Sequence, residues 1–156
     1  MRRKDREVTD ISIIDAFIAK EKIIRIAFAD EGDIYIVPVN YGYKRDGEES
    51  VFYFHGAKAG RKYELAKSSP DIGFEIDGGF SIVSGREEAC DYSAKFQSVI
   101  GTGKISLIED RDEKKYALDC FMKHQTGRSG WNFDEKELKA TAVFSIRVNK
   151  MTCKIK

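Results

Sequence analysis

The sequence predicts a mainly β fold with α decoration, a β-barrel with helices set between and around its strands. Three observations predict it. Several stretches alternate β-branched and aromatic residues with period two, short polar turns of hairpin type join some of them, and strict strand–helix–strand alternation is missing. The last point makes a doubly wound parallel sheet the weaker alternative. With 156 residues, 42% of them hydrophobic, a single domain over 1–156 with a full core is expected.

Thr9 and Asp10 offer capping side chains ahead of "ISIIDAFIAK", where Ile11, Ile14 and Ile18, with Ile13 and Phe17 beside them, fall at helical spacing. A hairpin follows, Lys22–Ala29 and Asp33–Tyr43, around an acidic turn that ends in Gly32. "KRDGEES" is a polar turn, and Val51–His55 a third strand. Arg61–Ser68 is helical and ends before Pro70. "DIGFEID" is a fourth strand, and Gly78–Ala89 an irregular excursion. "YSAKFQSVIGTGKISLI" is one long strand in which Gly101 and Gly103 mark bulges or close approaches. In "EDRDEKKYALDCFMKHQ" Asp110 caps a helix, Glu113 stands at the capping-box position, and Ala117, Cys120 and Phe121 form a stripe. "TGRSGWNFDEKELKA" gives a loop and a short helical turn, with Trp131 and Phe133 capping the barrel, and "TAVFSIRVNKMTCKIK" a last strand and an extended tail.

Composition excludes some functions. Lys+Arg number 27 against Asp+Glu 26, so no global field favours nucleic acid or an acidic membrane. Cys90, Cys120 and Cys153 are far apart, no CxxC exists and only two histidines occur, so no metal site is expected and the thiols read as free and buried. "MRRKDREVTD" is followed by no apolar run fit for a signal peptide or a span, and a cytoplasmic location is expected.

One stretch carries chemistry: "VFYFHGAKAGRK". The strand is read as stopping at His55. Gly56 and Gly60 free the backbone, and Lys58, Arg61 and Lys62 crowd cations at a helix start, where amides favour an anion. A solvated loop is the plainer reading of that cluster. The spacing is not that of a Walker loop, and "GTGK" lies inside a β segment with no helix after it. His55 alone reads as structural, and His124 as an imidazolium at a helix C-terminus. No GxSxG occurs, so a nucleophilic hydrolase is poorly supported. Pro38 within "YIVPVNYGY" removes a ladder donor and requires an edge, a bulge or an interruption.

Three segments in this order, "VPVNYGY", "FYFHGAKAGRKYELAKSSPDIGFEID" and "YSAKFQSVIGTGKISLIEDRDEKKYAL", resemble the FMN-binding split-barrel superfamily of pyridoxamine-phosphate-oxidase-like proteins, and within it the nitroimidazole-resistance branch. The resemblance implies a six-stranded Greek-key split β-barrel, a homodimer, and FMN in grooves at the subunit interface. It implies that Arg61 and Lys62, helped by Lys58, grip the phosphate. Val37, Pro38, Val39, Asn40 and Tyr41 would run along the flavin ring, His55 and Gly56 would lie beside it or the ribityl chain, and Gln97 and Ser98 would place polar groups nearby. His55 is the implied catalytic residue. The function implied is an FMN-dependent oxidoreductase reducing a small electron-poor, nitro-type substrate, with NAD(P)H or another donor upstream. The alternatives are a non-catalytic flavin carrier or sensor, and a heme-binding barrel with His55 or His124 as ligand. The tail carries Arg147 but no histidine, which departs from the substrate-binding pattern of the oxidase proper.

Overall fold

Alternating burial and well-placed caps set out twelve regular elements along residues 2–156, the residues described by the computed structural model. In chain order they are β1 (Glu7–Val8), α1 (Ile11–Lys20), β2 (Ile23–Asp30), β3 (Asp33–Asn40), β4 (Gly42–Asp46), β5 (Glu49–Ala57), α2 (Arg61–Ser68), β6 (Asp71–Val83), β7 (Ser93–Ile108), α3 (Arg111–Thr126), α4 (Glu135–Ala140) and β8 (Thr141–Ile155). All pairings are antiparallel, in the order β3-β2-β6-β7-β8-β5-β4, with β1 added to the end of β8. The expected six strands are therefore eight. Six of them have eight residues or more, while β1 and β4 are short additions of two and five. The connection from β5 through α2 to β6 passes β8 and β7, which is Greek-key topology.

The sheet's two edges, β3 and β4, are consecutive in the chain and joined by one residue, Tyr41. Two Cα steps of ~3.8 Å allow the edges to be at most about 7.6 Å apart there, so the sheet curls into an open, split barrel. Tyr41 pins the join. It is fully buried, its hydroxyl donates to the Ile18 carbonyl at 2.7 Å, and its own carbonyl accepts from Gln125 Nε2 at 2.7 Å. Gly42 comes next because α3 lies directly on it: a Cβ there would stand 2.5 Å from the Phe121 Cα. Inside, Phe28, Phe52, Phe54, Phe74 and Phe144 with Ile24, Ile26, Ile72, Ile76 and Ile146 pack with Phe17 and Ile18 of α1. A smaller cluster, Ile108, Ala117, Leu118, Leu138 and Val143, seats α3 and α4 on the outside.

Four sequence expectations are revised by partners in the sheet. The strand does not stop at His55, because β8 starts at Thr141 and pairs it onward, His55 with Val143 and Ala57 with Thr141. Gly78–Val83 is a continuation of β6, with a register shift between Gly78 and Ser81. Tyr43 belongs to β4 rather than to one long second arm of the hairpin. The tail is part of β8, a single fifteen-residue strand. Gly103 does sit at an irregularity, the register shift between β7 and β8. Pro38 pairs with Arg25 on one side and has no strand on the other. All three cysteines are free, but Cys90 is exposed, Cys120 half-buried and only Cys153 buried. Among the described residues, no helix is long and apolar enough to cross a membrane.

A half-buried polar cluster ties α1 to β4: Arg45 Nε lies 2.8–2.9 Å from both Asp15 oxygens, and the Tyr43 hydroxyl donates to the same carboxylate at 2.8 Å. Asp15→Ala is expected to cost about 1–3 kcal/mol, because it strands the guanidinium as well as removing the bonds. Denaturant melts of the two proteins measure this, and an unchanged midpoint would contradict it.

Candidate functional site

The site is built on the start of α2. Asp10, Asp110 and Asp134 cap the other three helices with their side chains, whereas the N-cap of α2 is Gly60, at φ +94°, with no side chain to offer. The Tyr63 and Glu64 amides donate to the Gly60 carbonyl, at 3.0 and 3.2 Å, and the amides before them, of Arg61 and Lys62, point out of the helix end toward where an anion would sit. Lys62 stands beside it. Its ammonium lies 3.2 Å from where a Gly56 Cβ would be, and 5.5 Å from the Phe54 ring centroid. Burial lowers its pKa, and no carboxylate opposes that shift. Arg61 is engaged elsewhere: Nε and Nη2 bind Asp30 Oδ2 at 2.6 and 2.5 Å, and the guanidinium covers Tyr35, 4.7 Å from its centroid.

The other predicted residues fall into separate groups. His55 points outward, edge-on to Phe121 at 4.6 Å, into an apolar cavity of about 310 Å³ with Leu118, Met122 and Phe133. Its pKa is lowered, first by burial and then by Lys62, which places it within electrostatic reach of the α2 start. Lys58 faces away, toward α3 and α4. On edge strand β3, Val37 and Val39 turn to the core while Pro38 and Asn40 turn outward, Asn40 Nδ2 donating to the Lys22 carbonyl at 3.1 Å. The Tyr41 side chain and carbonyl both serve the fold. Gln97 pairs with Gly78 and Ile155, and Ser98 with Asp77, at the far end of the sheet face. Among the described residues, no three His, Cys, Asp or Glu side chains could together hold a metal.

Comparison with known proteins decides the family. A model described as pyridoxamine 5'-phosphate oxidase matches residues 10–155, nearly the whole chain. The chain belongs to that family. A solved structure of a candidate 5-nitroimidazole antibiotic resistance protein from Bacteroides thetaiotaomicron VPI-5482 is similar over 96% of this chain and 86% of its own, at 28% identity and TM-score 0.82. The fold is shared with a flavocytochrome from Azotobacter vinelandii (22% identity, TM-score 0.77, covering 100% of this chain and 72% of that one). It is shared too with an FAD and heme binding protein from Mycobacterium smegmatis (19% identity, TM-score 0.79, 97% and 73% covered). A search of curated proteins gives no match.

Within this family member, the donor set at the α2 start fits a phosphate: open amides, a cation without a carboxylate, and a glycine whose missing Cβ leaves room for that cation. Sequence reading missed the Asp30–Arg61–Tyr35 group, which joins the β2–β3 hairpin to α2 and has no local motif. His124 also differs from expectation. It lies in the last turn of α3 as expected, but burial, with Tyr41 at 4.5 Å between centroids, lowers its pKa and so disfavours the imidazolium, the Glu21 carbonyl opposing and Lys22 adding. Its Nε2 donates to the Glu21 carbonyl at 2.8 Å. The native state thus prefers the neutral ring. Its contribution is complete above the ordinary value of 6.5 and is lost as pH falls below it, as the unfolded chain takes up the proton first. His124→Gln should flatten the acid-side decline of stability, leaving the part due to His55. Denaturant midpoints from pH 7.5 down to 5 test this, and a variant with the wild-type slope would contradict it.

Proposed function

We propose that this protein is an FMN-binding oxidoreductase, working as a homodimer on a small electron-poor, nitro-type substrate. The observation that carries the reading is the uncapped start of α2 with unpaired Lys62 beside it, in a chain of the pyridoxamine 5'-phosphate oxidase family. Lys62 and the first amides of α2 hold the phosphate, and Arg61 presents its remaining edge. Pro38 and Asn40 of β3 line the ring. A bound flavin supplies hydride and electron transfer, so the chain itself needs to bind, orient and exclude water rather than provide a nucleophile. His55, whose pKa is lowered by burial and by Lys62, is the proton-handling group beside the apolar cavity that admits substrate.

Two features favour a dimer. Arg61 is tied to Asp30 at one end of β2, whereas Ser98, paired with Asp77, is level with Ile23 at the other end. Seven residues at ~3.3 Å each separate these ends by about 23 Å, so Gln97 and Ser98 complete the site from a second copy. The intervening sheet face exposes Ile34 (73%), Ile36 (60%) and Ile100 (57%) around Ala27 and Gly73, with the Arg25–Glu75–Asp77 ion-pair group beside them. The similarity to the resistance protein supports the nitro-type substrate. Pyridoxamine phosphate is disfavoured: Arg147, the one arginine of the tail segment, is bound to Glu49 at 2.5 Å.

The visible spectrum tests the reading. Protein saturated with FMN should show the flavin band near ~450 nm, and NAD(P)H should bleach it in a stopped-flow cell. A flavin that binds but is never reduced selects the carrier. A Soret band selects heme, a reading favoured by His55 on its apolar cavity and by the similar structures named as a flavocytochrome and as an FAD and heme binding protein. His124 is a poor ligand in that case, because its Nε2 is bonded to Glu21.

A further inference from the structure

The outward-facing lysine of the β5–α2 loop leads to a second cationic cavity. About 320 Å³ in volume, it lies between that loop and the starts of α3 and α4, lined by Lys58, Glu109, Arg111, Lys114, Glu135 and Lys139. The charges are unevenly paired. Glu135 is taken by Arg111, through a short bidentate contact, and by Lys115 at 3.1 Å. Glu109 alone then faces three lysines, none of which has a carboxylate partner within ion-pair distance among the described residues. Lys114 is the most constrained of them. It is only 9% exposed, and its ammonium finds one weak acceptor, the Thr141 carbonyl at 3.4 Å. Burial lowers its pKa, Lys58 lowers it further, and Glu109 offsets this only in part.

A buried ammonium such as that of Lys114, without a carboxylate of its own, is held at a cost, which an anion with several acceptor oxygens removes. We propose that this cavity is a binding site for the phosphoryl group of a small molecule, separate from the α2 start and held by Lys58, Lys114 and Lys139. A phosphoryl group presents three acceptor oxygens to the three lysines that line the cavity, whereas a carboxylate presents two. Lys58 then sorts with α3 and α4, not with Lys62, although four residues separate them in sequence. The assignment does not depend on flavin binding.

Inorganic phosphate and AMP are the probes, titrated into the full-length protein at constant ionic strength with chloride as the balancing ion. Amide shifts of residues 111–115 and 135–139 report the site, and melting temperature reports the linkage. Both sets should move saturably in the wild type. Lys114→Met, which keeps an apolar stem, should weaken binding about ten-fold, and the Lys58→Ala/Lys139→Ala pair at least as much. Lys62→Ala and Lys104→Ala should leave the affinity read from these amide shifts unchanged; the second removes the same charge from an exposed pair with Asp71. AMP binding tighter than phosphate identifies a phosphate ester as the ligand, and equal affinity identifies the free ion. Absence of saturable shifts, wild-type affinity in Lys114→Met, or loss of binding only in Lys62→Ala overturns the proposal. Flavin uptake, read separately by absorbance, can fail or succeed independently of all three.

Discussion

Lys62→Ala is expected to weaken FMN binding by about 1.5–3 kcal/mol, roughly 10- to 150-fold, with little change in stability. The argument is one of competition for charge. Arg61 stands closer to the usual picture of a phosphate clamp, but Asp30 holds two of its nitrogens and places a negative charge beside any incoming dianion. Among the described residues Lys62 has no such partner, and no carboxylate stabilises its charge. Its loss should therefore fall on the ligand and not on the fold. Two controls isolate the phosphate. Riboflavin, which lacks it, should bind the variant and the wild type alike. Asp30→Asn should act in the opposite direction and tighten FMN, since Arg61 is then released with its charge uncompensated. Fluorescence quenching of FMN and riboflavin across the three proteins measures all of this. Equal FMN affinity for wild type and Lys62→Ala would place the phosphate elsewhere.

The contrast between helix starts explains why this corner could be read from sequence. Asp10, Asp110 and Asp134 stand where caps belong, while Gly60 stands in the same place before two cations, and each choice is local chemistry. What remained hidden depends on residues far apart in the chain. Alternation runs without a break through Tyr41 and Gly42, so the split between β3 and β4 is invisible until Phe121 of α3 is laid on Gly42. His55-Gly56 looks like the end of a strand, and only the start of β8 at Thr141 decides otherwise. The cations of "HGAKAGRK" look like one cluster, but the pairing of β5 with β8 aims Lys58 at α3 and leaves Lys62 by Phe54. Local signals gave elements and caps; pairing partners and facing directions came from the tertiary structure.

Tyr41 separates fold from site most sharply, and its replacement carries the largest stability effect foreseen. Tyr41→Ala should destabilise the protein by about 3–5 kcal/mol, as expected when a large aromatic leaves a filled core. The ring lies 5.4 Å from Phe52 and 4.5 Å from His124, and it is the one residue between the two edges of the sheet. Tyr41→Phe keeps the packing and removes only the hydroxyl, leaving the Ile18 carbonyl without that donor, so about 1–2 kcal/mol should be lost. Neither the buried side chain nor the carbonyl held by Gln125 is free to face a flavin ring. Tyr41→Phe should therefore bind FMN as the wild type does while melting earlier. Parallel urea melts and flavin titrations distinguish the outcomes. A stable Tyr41→Phe protein with weakened flavin binding would show that the hydroxyl belongs to the site, and that the edges of the barrel are held together by something else.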